Sequence, residues 1–209
     1  MSAARPLQNR VDPYGALAAV AARGALMGNR GGRIHRADQT LGRRRWASRQ
    51  WISCRCAFRG RRRQVWGDSY SELFFLDEPT ALAAGHRPCF ECRRADALAF
   101  RRAVSPDRIL TAAEIDLALH RERLAHLAGR FEERPLGQLP DGAMVEIGGR
   151  PYALRGETLL PWGFFGYGEV ERRSGRERQA VRLLTPASSL AALAAGYRPL
   201  WADEIDGGR

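Results

Sequence analysis

The four cysteines constrain this chain more than any other feature. Cys54 and Cys56 form one pair, Cys89 and Cys92 a second, and no cysteine is left over. A Cys-x-Cys, a long spacer and a Cys-x-x-Cys fit one tetrahedral zinc site, where each thiolate donates a soft anionic sulfur at about 2.3 Å. The expected cofactor is therefore one Zn2+, held by Cys54, Cys56, Cys89 and Cys92. Two sulfurs of a Cys-x-Cys share a face only in extended backbone. A twist or turn there separates them, and His35 is then the reserve ligand.

The chain around the second pair has its own local logic. Leu73-Phe74-Phe75-Leu76 reads as a buried strand. Asp77-Glu78-Pro79-Thr80 starts a helix, with Asp77 as N-cap and Pro79 in the first turn, where its missing N–H costs nothing. Ala81–Ala84 continues the helix, Gly85 ends it in a left-handed cap, and Pro88 prevents its resumption.

Phe75, followed by Ala81-Leu82-Ala83-Ala84-Gly85-His86-Arg87-Pro88-Cys89-Phe90-Glu91-Cys92, resembles the zinc-binding domain of the bacterial Ada DNA alkylation-repair proteins. That family carries a strand, an Ala-rich helix, a Gly-aromatic-Arg-Pro-Cys turn and a Cys-x-x-Cys, with two further zinc cysteines upstream. The resemblance covers about residues 51–93. It implies a zinc protein that engages DNA, in repair, with Cys54-Arg55-Cys56 standing where the upstream ligands belong. It also implies a chemistry: one upstream zinc cysteine, here Cys54 or Cys56, accepts a methyl group from an alkylated DNA phosphate. The upstream spacing is shorter than the family's, which favours a mainly structural zinc.

Charge points toward an acidic partner. The formal net charge is +11, and every one of the 34 Lys/Arg-type residues is Arg. Nine of them fall between Arg43 and Arg63: Arg43, Arg44, Arg45, Arg49, Arg55, Arg59, Arg61, Arg62 and Arg63. Trp46, Trp51, Phe58 and Trp66 are interleaved. Arg side chains neutralise phosphates and aromatic faces stack on unpaired bases, so this stretch is the expected nucleic-acid face, DNA before RNA. The plainer alternative is a solvated rim whose aromatics point into a core. Met27–His35, rich in Gly, offers a second, weaker phosphate-loop candidate. No run approaches the ~18 apolar residues of a membrane-spanning helix. Residues 1–20 hold no apolar core of signal-peptide type, so a cytoplasmic location is expected, where cysteines stay reduced and suit a metal.

Downstream, residues 93–102 read as a helix, and Thr111 caps another, with Glu114 completing a capping box. Asp116 and His120, four apart, are neighbours on its face. They form a candidate acid/base pair for a nuclease or hydrolase, against the commoner reading of a surface pair. Beyond a Pro-containing connector at 131–141 the pattern turns to short strands. Gly148-Gly149 marks a hairpin. Leu193–Leu200 echoes Leu82–Cys89 without the cysteines. The expected fold is α+β: a disordered tail at 1–10, a zinc-binding, Arg-rich unit with following helices at 11–130, and a small β-rich unit ending in a helix at 140–209. A non-catalytic RNA- or protein-binding module is the remaining functional alternative.

Overall fold

The structure, a computed structural model, describes residues 5–60 and 64–206. Six strands form the first sheet: β1 (Gln8–Val11), β2 (Leu17–Ala19), β3 (Leu26–Arg30), β4 (Trp51–Arg55), β5 (Leu73–Phe75) and, after helix α1 (Glu78–Ala83), β6 (Arg87–Pro88). Their order is β2-β1-β5-β3-β4-β6, with β4 and β6 parallel. Residues 8–10, expected in a disordered tail, belong to β1. The first four residues of the Gly-rich run Met27–His35, expected as a loop, belong instead to the middle strand β3, buried along its length and paired with both β4 and β5, while Gly31 and Gly32 lie past its end. Gly28 is what permits this: a Cβ there would meet the Ile52 carbonyl oxygen at 2.2 Å.

Strand periodicity divides the sheet into two faces. Leu26, Leu73 and Phe75 point into an apolar core with Val11, Leu17 and Ala81. Met27, Ile52, Cys54 and Phe74 lie on the other face, against Cys89 and Cys92. Trp51, on the core side, is clamped between two buried cations, Arg30 and Arg123, whose guanidinium carbons lie 4.0 and 4.3 Å from the ring centroid.

Helix α1 begins and ends as its sequence requires. The Asp77 carboxylate accepts from the Thr80 N–H at 3.1 Å and the Thr80 hydroxyl at 2.7 Å. Gly85 closes the helix at φ +75°, and a Cβ there would also meet Arg123 Cγ at 2.5 Å. Gly85 and His86 donate to the Leu82 and Ala81 carbonyls, and Gly196 and Tyr197 donate to Leu193 and Ala192 in the same way. The echo in the sequence is thus a reused helix ending. Its beginning differs, since Pro186 occupies the N-cap without a side-chain bond.

Asp77 is fully buried and also accepts from the Tyr167 hydroxyl at 2.7 Å. Burial raises its pKa to about 6, against the opposing pull of its hydrogen bonds from Tyr167 and Thr80. An unfolded Asp titrates near ~3.9, so between about pH 4 and 6 the folded chain binds more protons, and stability falls as pH rises through that window. Asp77→Asn keeps a capping oxygen and removes the charge. Denaturant unfolding is expected to find the variant about 1–2 kcal/mol more stable than the parent at pH 7, the difference vanishing below about pH 4. A variant less stable than the parent at pH 7, and by more than it is below pH 4, would show that the ionised cap is the stabilising form.

Two helices follow, α2 (Arg94–Val104) and α3 (Ala112–Leu127), the latter with the Thr111–Glu114 capping box in place. The second sheet comprises β7 (Glu133–Pro135), β8 (Met144–Ile147), β9 (Arg150–Arg155), β10 (Thr158–Gly163), β11 (Gly166–Tyr167), β12 (Glu171–Arg172) and β13 (Ala180–Leu183), ordered β11-β10-β9-β8-β13-β7 with β12 beside β10. Gly148 and Gly149, at φ +57° and +77°, make the two-residue hairpin turn. Helices α4 (Ala187–Ala194) and α5 (Ala202–Asp206) complete the chain. The α+β class stands. The connector at 131–141 does not interrupt the core, because its Leu136 and Leu139 are buried in one cluster that joins Leu82, Phe100, Ile115 and Leu119 to Val145, Leu154, Leu183 and Leu193.

Candidate metal centre

The parallel pairing of β4 with β6 creates the site. Ser53 pairs with Pro88, and the Cys89 N–H donates to the Ser53 carbonyl at 3.0 Å. The next residue on β4 is Cys54, so Cys54 and Cys89 stand side by side. The turn after β6 then returns Cys92 to the same point. The three Sγ atoms all lie within 4.8 Å of one another. Tetrahedral bonds of about 2.3 Å place sulfurs about 3.8 Å apart, so this cage needs little adjustment to close on an ion. The Glu91 N–H already donates to Cys89 Sγ at 3.4 Å, which favours the thiolate. The Cys89 pKa is driven down by thiol hydrogen bonds from Cys54 and Cys92, and the Cys54 thiol, donor to that thiolate, is driven up. The centre can hold a metal ion, and three thiolates suit soft or borderline ions.

Cys56 is the departure from the four-cysteine expectation. It lies past the end of β4, exposed, and its thiol is directed to the Ala25 carbonyl at 3.3 Å, outside the group of three sulfurs. The strand ends at Arg55, so the shared face that Cys-x-Cys would have in extended backbone does not form. His35 is not a substitute. It is buried in a different place, its ring bonded to the Ser71 hydroxyl at 2.6 Å and the Gly67 carbonyl at 2.9 Å and stacked on Trp66.

The Asp116–His120 pair also separates. Both Asp116 oxygens accept from Arg87, each at 2.8 Å, in a buried bidentate pair. His120 instead meets the Trp46 ring edge-on at 5.6 Å, and burial, with the charges of Arg123 and Arg49, holds its pKa down. Arg87 is the Arg of the Gly-His-Arg-Pro-Cys turn, so Asp116 anchors that turn to α3. A carboxylate committed in this way is not available as the base of an acid/base pair.

Arg43, Arg44, Arg45 and Arg49 are exposed, as expected of a charged face, while the backbone beneath them is pinned. Arg30 and Arg123 donate to the carbonyls of Arg45 and Arg49, at 3.4 and 2.9 Å, and the Ala47 N–H donates to the Arg30 carbonyl at 2.9 Å. Arg59 is exposed and lies over the Phe58 ring at 5.0 Å. Arg61, Arg62 and Arg63 lie outside the described residues. Trp46 is half-buried, whereas Trp51 and Trp66 are core residues at 2% and 3% exposure, which removes them as stacking faces.

Two site features have no signature in the sequence. Arg93, next to Cys92, is buried and donates to the Ser53 hydroxyl at 3.0 Å and to Glu78 at 2.6 Å, tying the Cys-x-x-Cys turn to β4 and α1. Glu72 is 1% exposed and lines the same cavity, of about 270 Å3, as the three cysteines. Neither an isolated Arg nor an isolated Glu carries a spacing that could identify it. No helix among the described residues is long and apolar enough to cross a membrane. No family model, curated protein or solved structure matches the chain.

Proposed function

We propose that the chain is a zinc-thiolate protein that engages nucleic acid, DNA in the first instance. Cys54, Cys89 and Cys92 would hold one zinc ion, and the observation that carries this reading is their convergence within 4.8 Å. The ion would neutralise the clustered thiolates and cross-link β4 to the turn between β6 and α2, which is a structural role. The Ada-type resemblance of residues 51–93 agrees with such a centre. The nucleic-acid half of the proposal is supported by the pinned loop that presents Arg43, Arg44, Arg45 and Arg49 to solvent, and by the net charge of +11. A rigid loop loses little entropy when its side chains meet phosphates, and each neutralised phosphate releases counterions.

Replacing Arg43, Arg44 and Arg45 together by Ser is expected to weaken duplex DNA binding whatever its sequence. The slope of log K against log salt is expected to fall by about 0.9 for each phosphate that is no longer neutralised. Fluorescence anisotropy at several salt concentrations measures both. A slope equal to the parent's would make this loop a solvated rim, and stronger binding to RNA than to DNA would shift the proposed partner to RNA.

A further inference from the structure

The hairpin of β10 and β11 turns on two residues, Phe164 and Phe165, with Gly163 paired to Gly166 at its base. Two-residue turns ordinarily take Asn, Asp or Gly, so the turn itself calls for neither phenylalanine. The fold uses three of the four aromatics in this stretch. Trp162 Nε1 donates to the Thr80 hydroxyl at 2.9 Å, the Tyr167 hydroxyl donates to Asp77 at 2.7 Å, and the Phe164 ring meets that of Trp162 edge-on at 4.8 Å. Phe165 is left at 79% exposure.

Phe165 lines a groove of about 840 Å3, together with Leu76, Leu200 and Ile205. That volume falls within the ~300–1,000 Å3 of small-ligand pockets and admits a nucleotide. Two cations stand in the same groove, Arg23 and Arg55. Leu26 pairs with Arg55 across β3 and β4, and the Cys56 thiol is directed to the Ala25 carbonyl, so the segment entering β3 runs beside the end of β4. Arg23 and Arg55 are therefore at the same end of the two strands. Both are exposed, and neither has an ion-pair partner among the described residues. Asp203 and Glu204 also line the groove, but both accept from Arg155, at 2.9 and 3.1 Å, which offsets part of their charge.

We infer that this groove binds an unpaired nucleotide of a nucleic-acid strand, the base stacked on Phe165 and the phosphate met by Arg23 and Arg55. The inference deepens the nucleic-acid reading above and rests on it. A free aromatic ring beside two free guanidinium groups matches the two parts of a nucleotide, a flat base and an anion. A base inside a duplex gives its faces to its neighbours, so a stacking ring selects an unpaired one. An acidic peptide would use the cations and leave the ring without a flat partner.

The test uses the full chain, with labelled oligothymidylate and a duplex of the same length as probes, read by fluorescence anisotropy at several salt concentrations. Phe165→Ala removes a side chain that lies mostly in water, so the fold is not at stake. This variant is expected to bind oligothymidylate about tenfold more weakly or worse, with an unchanged salt slope and an unchanged duplex affinity, and Phe165→Trp is expected to restore binding. Arg23→Gln is expected to reduce the salt slope for the single strand by about 0.7. Oligothymidylate carrying 5-iodouracil is expected to photocrosslink within residues 162–167. Equal affinity of parent and Phe165→Ala for the single strand would overturn the inference, as would crosslinks confined to residues 43–49. Duplex binding without single-strand binding would overturn it and leave the nucleic-acid reading intact. Oligoglutamate binding that depends on Arg23, with no competition from oligothymidylate, would overturn it in favour of a peptide groove. A parent that binds neither nucleic acid would remove the reading itself, and the inference with it.

Discussion

Cys89→Ser is expected to yield a chain without stoichiometric metal, whereas Cys56→Ser is expected to retain one ion. A neutral hydroxyl replaces an anionic sulfur poorly, and among the described residues it is Cys54, Cys89 and Cys92 that converge. The loss of a direct ligand should exceed the ten- to hundredfold effects usual for residues behind the ligands, so metal affinity should fall by more than about a hundredfold. Stability follows by mass action. An ion present at about 1,000 times its dissociation constant stabilises by about 4 kcal/mol, and for a chain of this size its loss lowers the melting temperature by roughly 10 °C. Elemental analysis of both purified variants, with thermal unfolding before and after chelation, measures these effects. Metal loss in Cys56→Ser would restore the four-cysteine site that the paired spacing suggests. Full retention in Cys89→Ser would remove the centre altogether.

The legible parts of this molecule are those where local chemistry decides structure. Asp77, Pro79 and Gly85 bracket α1, and Thr111 with Glu114 opens α3, because caps satisfy backbone groups within a few residues. The cysteine spacing likewise marks the metal-binding region. What cannot be read depends on register and on long-range pairing. Met27–His35 looks like a glycine-rich loop throughout, yet its first four residues are strand once β4 and β5 flank them, since Gly28 serves close approach of strands. Cys56 looks equivalent to Cys54 until β4 ends between them. Asp116 looks like a partner for His120 at helical spacing, but Arg87, 29 residues away in sequence, takes both its oxygens. The basic stretch is legible as charge. Which of its aromatics lie in the core is not, because Trp51 is held by Arg30 and Arg123 from distant elements.

Those long-range pairs lead to the second large effect. Glu78 opens α1, fully buried, and accepts from three sources: Arg93 at 2.6 Å, the Tyr197 hydroxyl at 2.7 Å and the Leu200 N–H at 2.9 Å. It therefore joins the first sheet's helix, the Cys-x-x-Cys turn and the C-terminal segment at one carboxylate. Arg93 is as buried as Glu78, and its remaining carboxylate partner, Asp96, is partly exposed. Removing one member of such a pair strands the other charge in a low-dielectric interior, at a cost of about 3–5 kcal/mol. Glu78→Gln is thus expected to destabilise the chain by about 3 kcal/mol or more in urea unfolding, although the amide can still accept a hydrogen bond. Arg93→Met should cost a similar amount. The double variant should be much less destabilised than the sum, because neither charge is then left alone. If the two losses simply add, the pair is not coupled, and the donors Tyr197 and Leu200, rather than Arg93, account for the burial of Glu78. Metal content provides a separate readout. Arg93 also holds the Ser53 hydroxyl, so its removal loosens the junction between β4 and the turn that carries Cys89 and Cys92. Metal affinity is expected to fall by about 10- to 100-fold in Arg93→Met while all three sulfur ligands remain. An unchanged affinity would show that the backbone pairing of Ser53 with Pro88 is sufficient to bring the sulfurs together.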